Sequence, residues 1–421
     1  MHWLIMASLL AANPDPSAPS GGAEQKPQDA KSAGTQPTPE EKRKLEEEIA
    51  KELGAEPQPT APGQPAGATG RPAAPQADPG QLGGSPFARL LLLPDISAVG
   101  SAALAWNRLD VEALSPRSDP FAPAHTLQPI FQELELGVQA VVDPYARADV
   151  FLAFSEEGAE VEEAYLTTLG LPLGFQVRAG KLFAPFGRLN QQHPHMFDFV
   201  DRPLALARLL AVESLGGPGL DVAWLAPTPW FAELHLGYQA LKPGFEESSR
   251  NAGVARLAQF FDVGEASTLG VGVSAARMDE GSGAWRDLLG GDLYLKIRSP
   301  RSRSYLALQG EVIARRLSGL AVAEAEGEEP AVDPNGTEWG GYVQALWRQS
   351  PLFAYGARYE RAPGAAGGPE NRVSALATWL PSEFQRLRLQ VSYDRLPGGQ
   401  DGLEALLHVE FSIGAHGAHP F

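Results

Sequence analysis

Residues Gln132-Glu133-Leu134-Glu135-Leu136-Gly137-Val138-Gln139-Ala140 alternate between apolar and polar side chains. Leu134, Leu136, Val138 and Ala140 fall on one side of an extended chain, with Glu133, Glu135 and Gln139 on the other. A period of two belongs to a β-strand. One oily face and one charged face, repeated along a chain, is the pattern of a barrel that stands in lipid around a wet lumen.

Outward from this segment the alternation recurs between residues 97 and 413. It predicts strand cores at 97–109, 130–142, 145–155, 160–169, 173–183, 218–226, 230–241, 252–263, 266–277, 287–298, 303–315, 338–349, 351–361, 371–381, 384–395 and 403–413. Sixteen is an even number, as single-chain bacterial barrels have. Short links such as Asp143-Pro144, Ser299-Pro300 and Ser350-Pro351 alternate with links expected to be longer: 110–129, 156–159, 184–217, 242–251, 278–286, 316–337, 362–370 and 396–402. Short turns at one end and long loops at the other are how such barrels are strung. Tyr145, Phe175, Trp224, Trp230, Phe261, Tyr305, Trp347, Phe353, Trp379 and Phe384 lie close to the short links. Aromatic rings gather at membrane–water boundaries, so these predict a girdle at that end. The expected fold is therefore all-β, a transmembrane antiparallel up-and-down β-barrel of about sixteen strands over residues 85–421.

Ahead of the barrel the composition changes. Trp3 to Ala12 is apolar but too short to span a bilayer, and residues 1–12 read as a signal peptide. Residues 13–84 are rich in Pro, Ala, Gly and Gln with few large apolar side chains, the make-up of a flexible periplasmic tether. Within it, Thr38-Pro39-Glu40-Glu41 forms a capping box and Gly54 supplies a stop, which predicts a helix over 39–53. Its Leu45, Ile49 and Leu53 stripe suits a lone helix or a short coiled coil. The chain has 421 residues, no cysteine and a net charge of −17. Disulfides and thiolate metal sites are excluded, and the charge argues against a nucleic-acid partner. No Gly-x-Ser-x-Gly elbow occurs, and His235, His408, Ser274 and Ser392 fall on separate strands, so no enzyme is expected.

Several motifs carry a family resemblance: Val142-Asp143-Pro144-Tyr145, Glu162-Glu163-Ala164-Tyr165, Ala179-Gly180-Lys181, Phe186-Gly187-Arg188-Leu189-Asn190, His193-Pro194-His195 and Asp201-Arg202-Pro203-Leu204. With Glu135, they resemble the Gram-negative barrels related to phosphate-selective porins, whose relatives often carry the label zinc-regulated TonB-dependent outer membrane receptor. A TonB-dependent receptor needs a folded plug before 22 strands, so sixteen strands behind a Pro/Ala tether favour the porin-like part of the resemblance. That part implies that the loop 184–217, between the fifth and sixth strands, folds into the lumen and narrows it. Independently, a loop of this length must fold on something or be disordered. Phe183, Phe186, Phe197, Phe199, Leu204, Leu209 and Leu210 give it an apolar face to pack. Arg188, Asn190, His193, His195, Asp198, Asp201 and Arg202 would then form the pore constriction.

His193, His195 and Asp198 are also candidate metal ligands, since imidazole and carboxylate together suit zinc; the alternative is that they hydrogen-bond the loop in place. No resident cofactor is expected. Glu133, Glu135, Glu233, Lys296, Arg298, Arg386 and Arg388 are predicted to line the lumen wall. Basic residues gather on later strands and acidic ones on earlier strands, which suits either a transverse field or pairwise neutralisation between neighbours. The expected function is a porin-like channel for passive diffusion of small hydrophilic or ionic solutes in the bacterial outer membrane. The expected partners are membrane lipid, those solutes, the barrel-assembly machinery and further copies in a homo-trimer. The alternatives are an outer-membrane receptor or transporter for a metal or other ligand, and a plugged structural barrel anchoring cell-wall partners.

Overall fold

The computed structural model describes residues 93–109, 122–243, 249–281, 283–318, 336–364 and 367–414. The signal peptide, tether and helix expected within residues 1–84 lie outside them. Sixteen strands follow in order: β1 Asp95–Asn107, β2 Leu127–Asp143, β3 Ala146–Ser155, β4 Gly158–Thr168, β5 Phe175–Phe183, β6 Gly216–Leu225, β7 Phe231–Leu241 and β8 Arg250–Val263, then β9 Ser267–Gly281, β10 Ala284–Arg298, β11 Tyr305–Ser318, β12 Thr337–Arg348, β13 Phe353–Pro363, β14 Pro369–Ser382, β15 Gln385–Arg395 and β16 Asp401–Gly414. Each pairs with its neighbours in the chain, and β1 closes on β16. That seam is antiparallel and runs from Ser97↔Gly414 to Asn107↔Glu404. Closure leaves no row of unpaired N–H and C=O groups facing hydrocarbon, which is the condition for a sheet to cross a membrane.

Burial is inverted relative to a soluble protein. Along β15, Arg388, Gln390, Ser392 and Asp394 are buried while Leu389, Val391 and Tyr393 are exposed. On β16, Leu403, Leu407, Val409 and Phe411 are outward and Glu404 and His408 inward. The apolar face is turned to lipid and the polar face to the lumen. Tyr145, Phe175, Trp230, Trp347, Phe353, Trp379 and Phe384 are exposed near the short turns. Tyr305 is not among them: it faces the lumen, packs beside Phe199 and lies under Lys296 Nζ at 4.6 Å. A second set, Tyr238, Trp285, Trp339, Tyr359 and Tyr393, is exposed towards the opposite ends of the strands.

Two of the links expected to be longer are tight instead. β3 and β4 are separated by residues 156–157, and β9 and β10 by 282–283. Gly281 (φ 79°) and Gly283 (φ 81°) are left-handed, which lets the β9–β10 hairpin reverse at once; the strands simply run on further than their apolar alternation.

Candidate functional site

The segment 184–215 leaves β5, lies within the barrel and returns to β6. Ala184 N donates to Leu215 O at 2.8 Å, closing its neck. Asn190 locks the same point: Nδ2 donates to the carbonyls of Ala184 (3.1 Å) and Leu215 (2.9 Å), and Oδ1 accepts from Leu215 N and from Arg202. Pro185, Pro194 and Pro203 interrupt regular structure, leaving 3-10 turns at Leu189–Gln191 and Pro194–Met196 and one short helix, α1, at Leu204–Leu209. Gly187 has φ 62°, and a Cβ there would stand 2.3 Å from Glu311 Oε2. The missing side chain lets the Glu311 carboxylate approach and accept from the amides of Arg188 (3.2 Å) and Leu189 (2.8 Å).

The loop's apolar face is fully buried. Phe186, Leu189, Phe197, Leu204, Leu206, Leu209 and Leu210 pack on inward residues of the wall, among them Val254, Met278, Leu288 and Ile313. Phe199 packs on Ala307, Leu346, Ala354 and Leu376, and Val200 on Ala105 and Leu406. Buried ions add to this. Asp201 meets Arg358 at 2.5 Å and Arg372 at 3.2 Å and accepts from Gln390 Nε2 at 2.7 Å. Burial opposes its charge, but Arg358 and Arg372 outweigh burial and hold its carboxyl well below the usual carboxylate range. Glu360 accepts from Leu204 N at the start of α1, and Arg208 near its end pairs with Glu370 at 2.7 Å. Arg386 and Arg388 donate to the carbonyl of Phe197, and Arg388 to that of Phe199.

The seven residues proposed for the constriction are thus split. Arg188 lies over the Tyr294 ring at 4.1 Å. Asn190 and Asp201 are inside the packed body, turned away from open lumen. Asp198 lies 3.4 Å from Gln344 Nε2. Arg202 is buried against Asn190 and Ser214 but borders an open cleft. On the wall, Glu233 pairs with His235, Arg386 with Glu410, and Arg388 with Glu410 and His408; Lys296 and Arg298 lie at the short-turn end of β10. Most inward arginines have a carboxylate on a nearby strand, as Arg178 has Asp221 and Arg256 has Asp292. Pairwise neutralisation therefore accounts for much of the wall.

His193 and His195 do come together, but not with Asp198. Their rings stack at 5.9 Å, and the carboxylates around them are Glu135, Glu162 and Glu163. The β3–β4 pairing explains this set. It jumps from Phe151↔Glu163 to Leu152↔Val161, a β-bulge that turns Glu162 and Glu163 to the same side. Strict alternation would have sent one of them to lipid, so a reading by period two could not find this pair. Burial disfavours a charged His193, yet its bonds to Glu135, Glu162 and Glu163 raise its pKa well above the ordinary imidazole value.

Between this loop and β1–β4 remains a cleft of about 770 Å³, bordered by Glu133, Glu156, Glu157, Glu160, Glu162 and Glu213 on its acidic side. Arg202, Arg388, His195, His408 and Glu410 are among its other polar lining residues. Of this acidic group the sequence assigns only Glu133 to the lumen wall, and Glu162 enters only through a family motif. Glu213 is pushed above the usual carboxylate range by burial and by Glu160, Glu162 and Glu157.

No family model matches the chain. An uncharacterized protein of Aquifex aeolicus (strain VF5) is 35% identical over 329 residues, 68% of this chain and 69% of its own length. Three solved structures share the fold at low identity. Pseudomonas putida OprB aligns with TM-score 0.56 and 9% identity over 79% of this chain and 97% of that one. The outer membrane channel DcaP of Acinetobacter baumannii gives 0.53 and 11% over 76% and 97%. An anion-selective porin from Comamonas acidovorans gives 0.52 and 10% over 76% and 99%.

Proposed function

This chain belongs to one family with the Aquifex aeolicus protein and is an outer-membrane barrel of porin fold, and from that premise we propose that it is a channel for passive diffusion of small hydrophilic solutes, preferring cations. The observation that carries this reading is the acid-bordered cleft that remains beside β1–β4 once the loop has packed its apolar face largely on β7–β14. Six glutamates line its acidic side, of which Glu160 pairs with Lys181 at 2.9 Å and Glu162 with His193, against two arginines, Arg202 and Arg388, in the same lining. Charges in a confined, poorly screened passage set which ions enter. Arg256, Arg358, Arg372 and Arg386 all face carboxylates, so they form no ladder of free bases and phosphate specificity does not follow.

The test is reconstitution in planar bilayers under a salt gradient. The reversal potential should take the sign of a cation-preferring pore. Replacing Glu133, Glu160 and Glu213 with Gln should shift it towards zero without loss of the folded barrel. Because Glu213 holds its proton at higher pH than an ordinary carboxyl, cation preference should start to weaken above the normal carboxylate range as pH falls. Anion preference in the unmodified protein would sink the selectivity, and absence of conductance would favour a plugged barrel.

A further inference from the structure

We propose that Glu135, Glu162 and His193 bind a divalent transition-metal ion, with His195 as the fourth donor, and that this ion fastens the loop to β2 and β4. Glu135 Oε2, Glu162 Oε2 and the His193 ring lie with their donor atoms within 4.8 Å of one another. His193 Nδ1 is 3.2 Å from Glu135 Oε2 and 3.1 Å from Glu162 Oε2. His195 Nδ1 is 3.0 Å from the same Glu135 oxygen. For metal–donor bonds of about 2.0–2.1 Å, the corners of a tetrahedron stand about 3.3 Å apart, so these donors are already near ligand spacing.

The supporting shell has the form that metal histidines need. His193 Nε2 faces Glu163 Oε2 at 3.1 Å, and the other oxygen of Glu163 is held by Phe183 N at 2.7 Å. Once a metal is bound at Nδ1, a carboxylate at Nε2 accepts the remaining ring proton and orients the imidazole. Phe151 and Phe183 pack on the ring at 4.6 and 4.9 Å, holding its plane. Nδ1 of the same ring faces the carboxylates of Glu135 and Glu162, so three potential donor groups converge on one point. A second observation concerns Glu135: its Oε2 is buried and points into the cluster, 3.2 Å from His193 Nδ1 and 3.0 Å from His195 Nδ1, with no well-aligned hydrogen bond to either. The acid-lined cleft reaches Glu162 and His195, which gives an ion a way in. Imidazole with carboxylate favours zinc, copper or nickel over magnesium, which takes oxygen ligands in octahedral geometry.

Metal binding does not require a conducting pore, so the site is tested by binding. The full-length folded protein, stripped with a chelator, is titrated with zinc chloride. One zinc per barrel is expected, not displaced by excess magnesium, with a cobalt-substituted form showing the visible absorption of tetrahedral coordination. His193→Gln and Glu135→Gln should each weaken zinc binding more than 100-fold. Glu163→Gln, which touches the ion only through His193, should weaken it roughly 10- to 100-fold. Glu162→Gln alters a partly exposed ligand and guards against misfolding; its barrel should still migrate as a heat-modifiable band while losing zinc. Zinc bound equally by wild type and these variants, or displaced by magnesium, would overturn the proposal.

Discussion

Asp201 sits where the loop, β13 and β14 meet, between two guanidinium groups that are themselves fully buried. Removing one partner of a buried ion pair is costly because the remaining charge keeps its desolvation penalty. Asp201→Ala should therefore weaken docking of the loop by roughly 3–5 kcal/mol, reduced to the extent that Glu360 and Glu404 still serve Arg358 and Arg372. The barrel strands do not contain Asp201, so the variant should keep its heat-modifiable band while the loop becomes sensitive to protease and single-channel conductance rises. Protease resistance of the loop that matches wild type would show that Asp201 does not anchor it. The pH dependence has a definite sign. A carboxyl depressed in the folded state contributes its full stabilisation above the ordinary carboxylate range and loses it as pH falls through the folded value. Loop protection against hydrogen exchange should thus persist through mildly acidic pH and fail only in strong acid. Gly187 is a second such residue, because its left-handed backbone and the nearness of Glu311 both exclude a side chain.

At the scale of the element, the last strand tests the assignment of inside and outside. Val409 and Phe411 on β16 are each 44% exposed, on the lipid side, whereas Ser412 is half-buried on the lumen side. An arginine in hydrocarbon near the midplane costs roughly 2–4 kcal/mol, falling towards the interface. Val409→Arg should lower the urea midpoint of unfolding from lipid vesicles accordingly, and Ser412→Arg should cost far less. Equal losses in the two variants would contradict the orientation of the strand. Glu410 is a poor site for the comparison despite facing inward, since it receives Arg386 and Arg388, and a third guanidinium there would leave three cations together. On β4 the decisive feature is the bulge at Glu162. One extra residue places two glutamates on the lumen face and so builds the acid cluster around His193.

For the whole molecule, closure is the governing fact. β1 pairs with β2 on one side and β16 on the other, so the hydrogen-bonded ring is complete within residues 95–414. Deleting residues 13–84 behind a working signal should leave a barrel that folds into detergent or lipid and remains heat-modifiable. Failure of that deletion to fold would assign the segment a part in assembling the ring. The loop completes the molecule from inside: its apolar face meets wall positions from β7 to β14, Val200 reaches β16 and β1, and an acid-bordered cleft remains beside β1–β4.

Period-two alternation by itself determined the sixteen strands, because a barrel wall in lipid imposes the same two-faced demand on every strand, locally and without reference to partners. It also placed Val409 and Phe411 outward and Glu135 and Arg388 inward, and it marked 184–217 as the segment with apolar side chains left over. The tertiary structure alone decided which way the loop's polar residues turned. Asn190 and Asp201 went into its packed body, Asp198 went towards Gln344, and His193 met Glu135, Glu162 and Glu163 from strands 30 to 60 or so residues away in the chain. Those choices depend on which wall the apolar face covers and on a one-residue bulge in β4. Neither is a property of a local pattern: both follow from contacts across the lumen and the register between neighbouring strands.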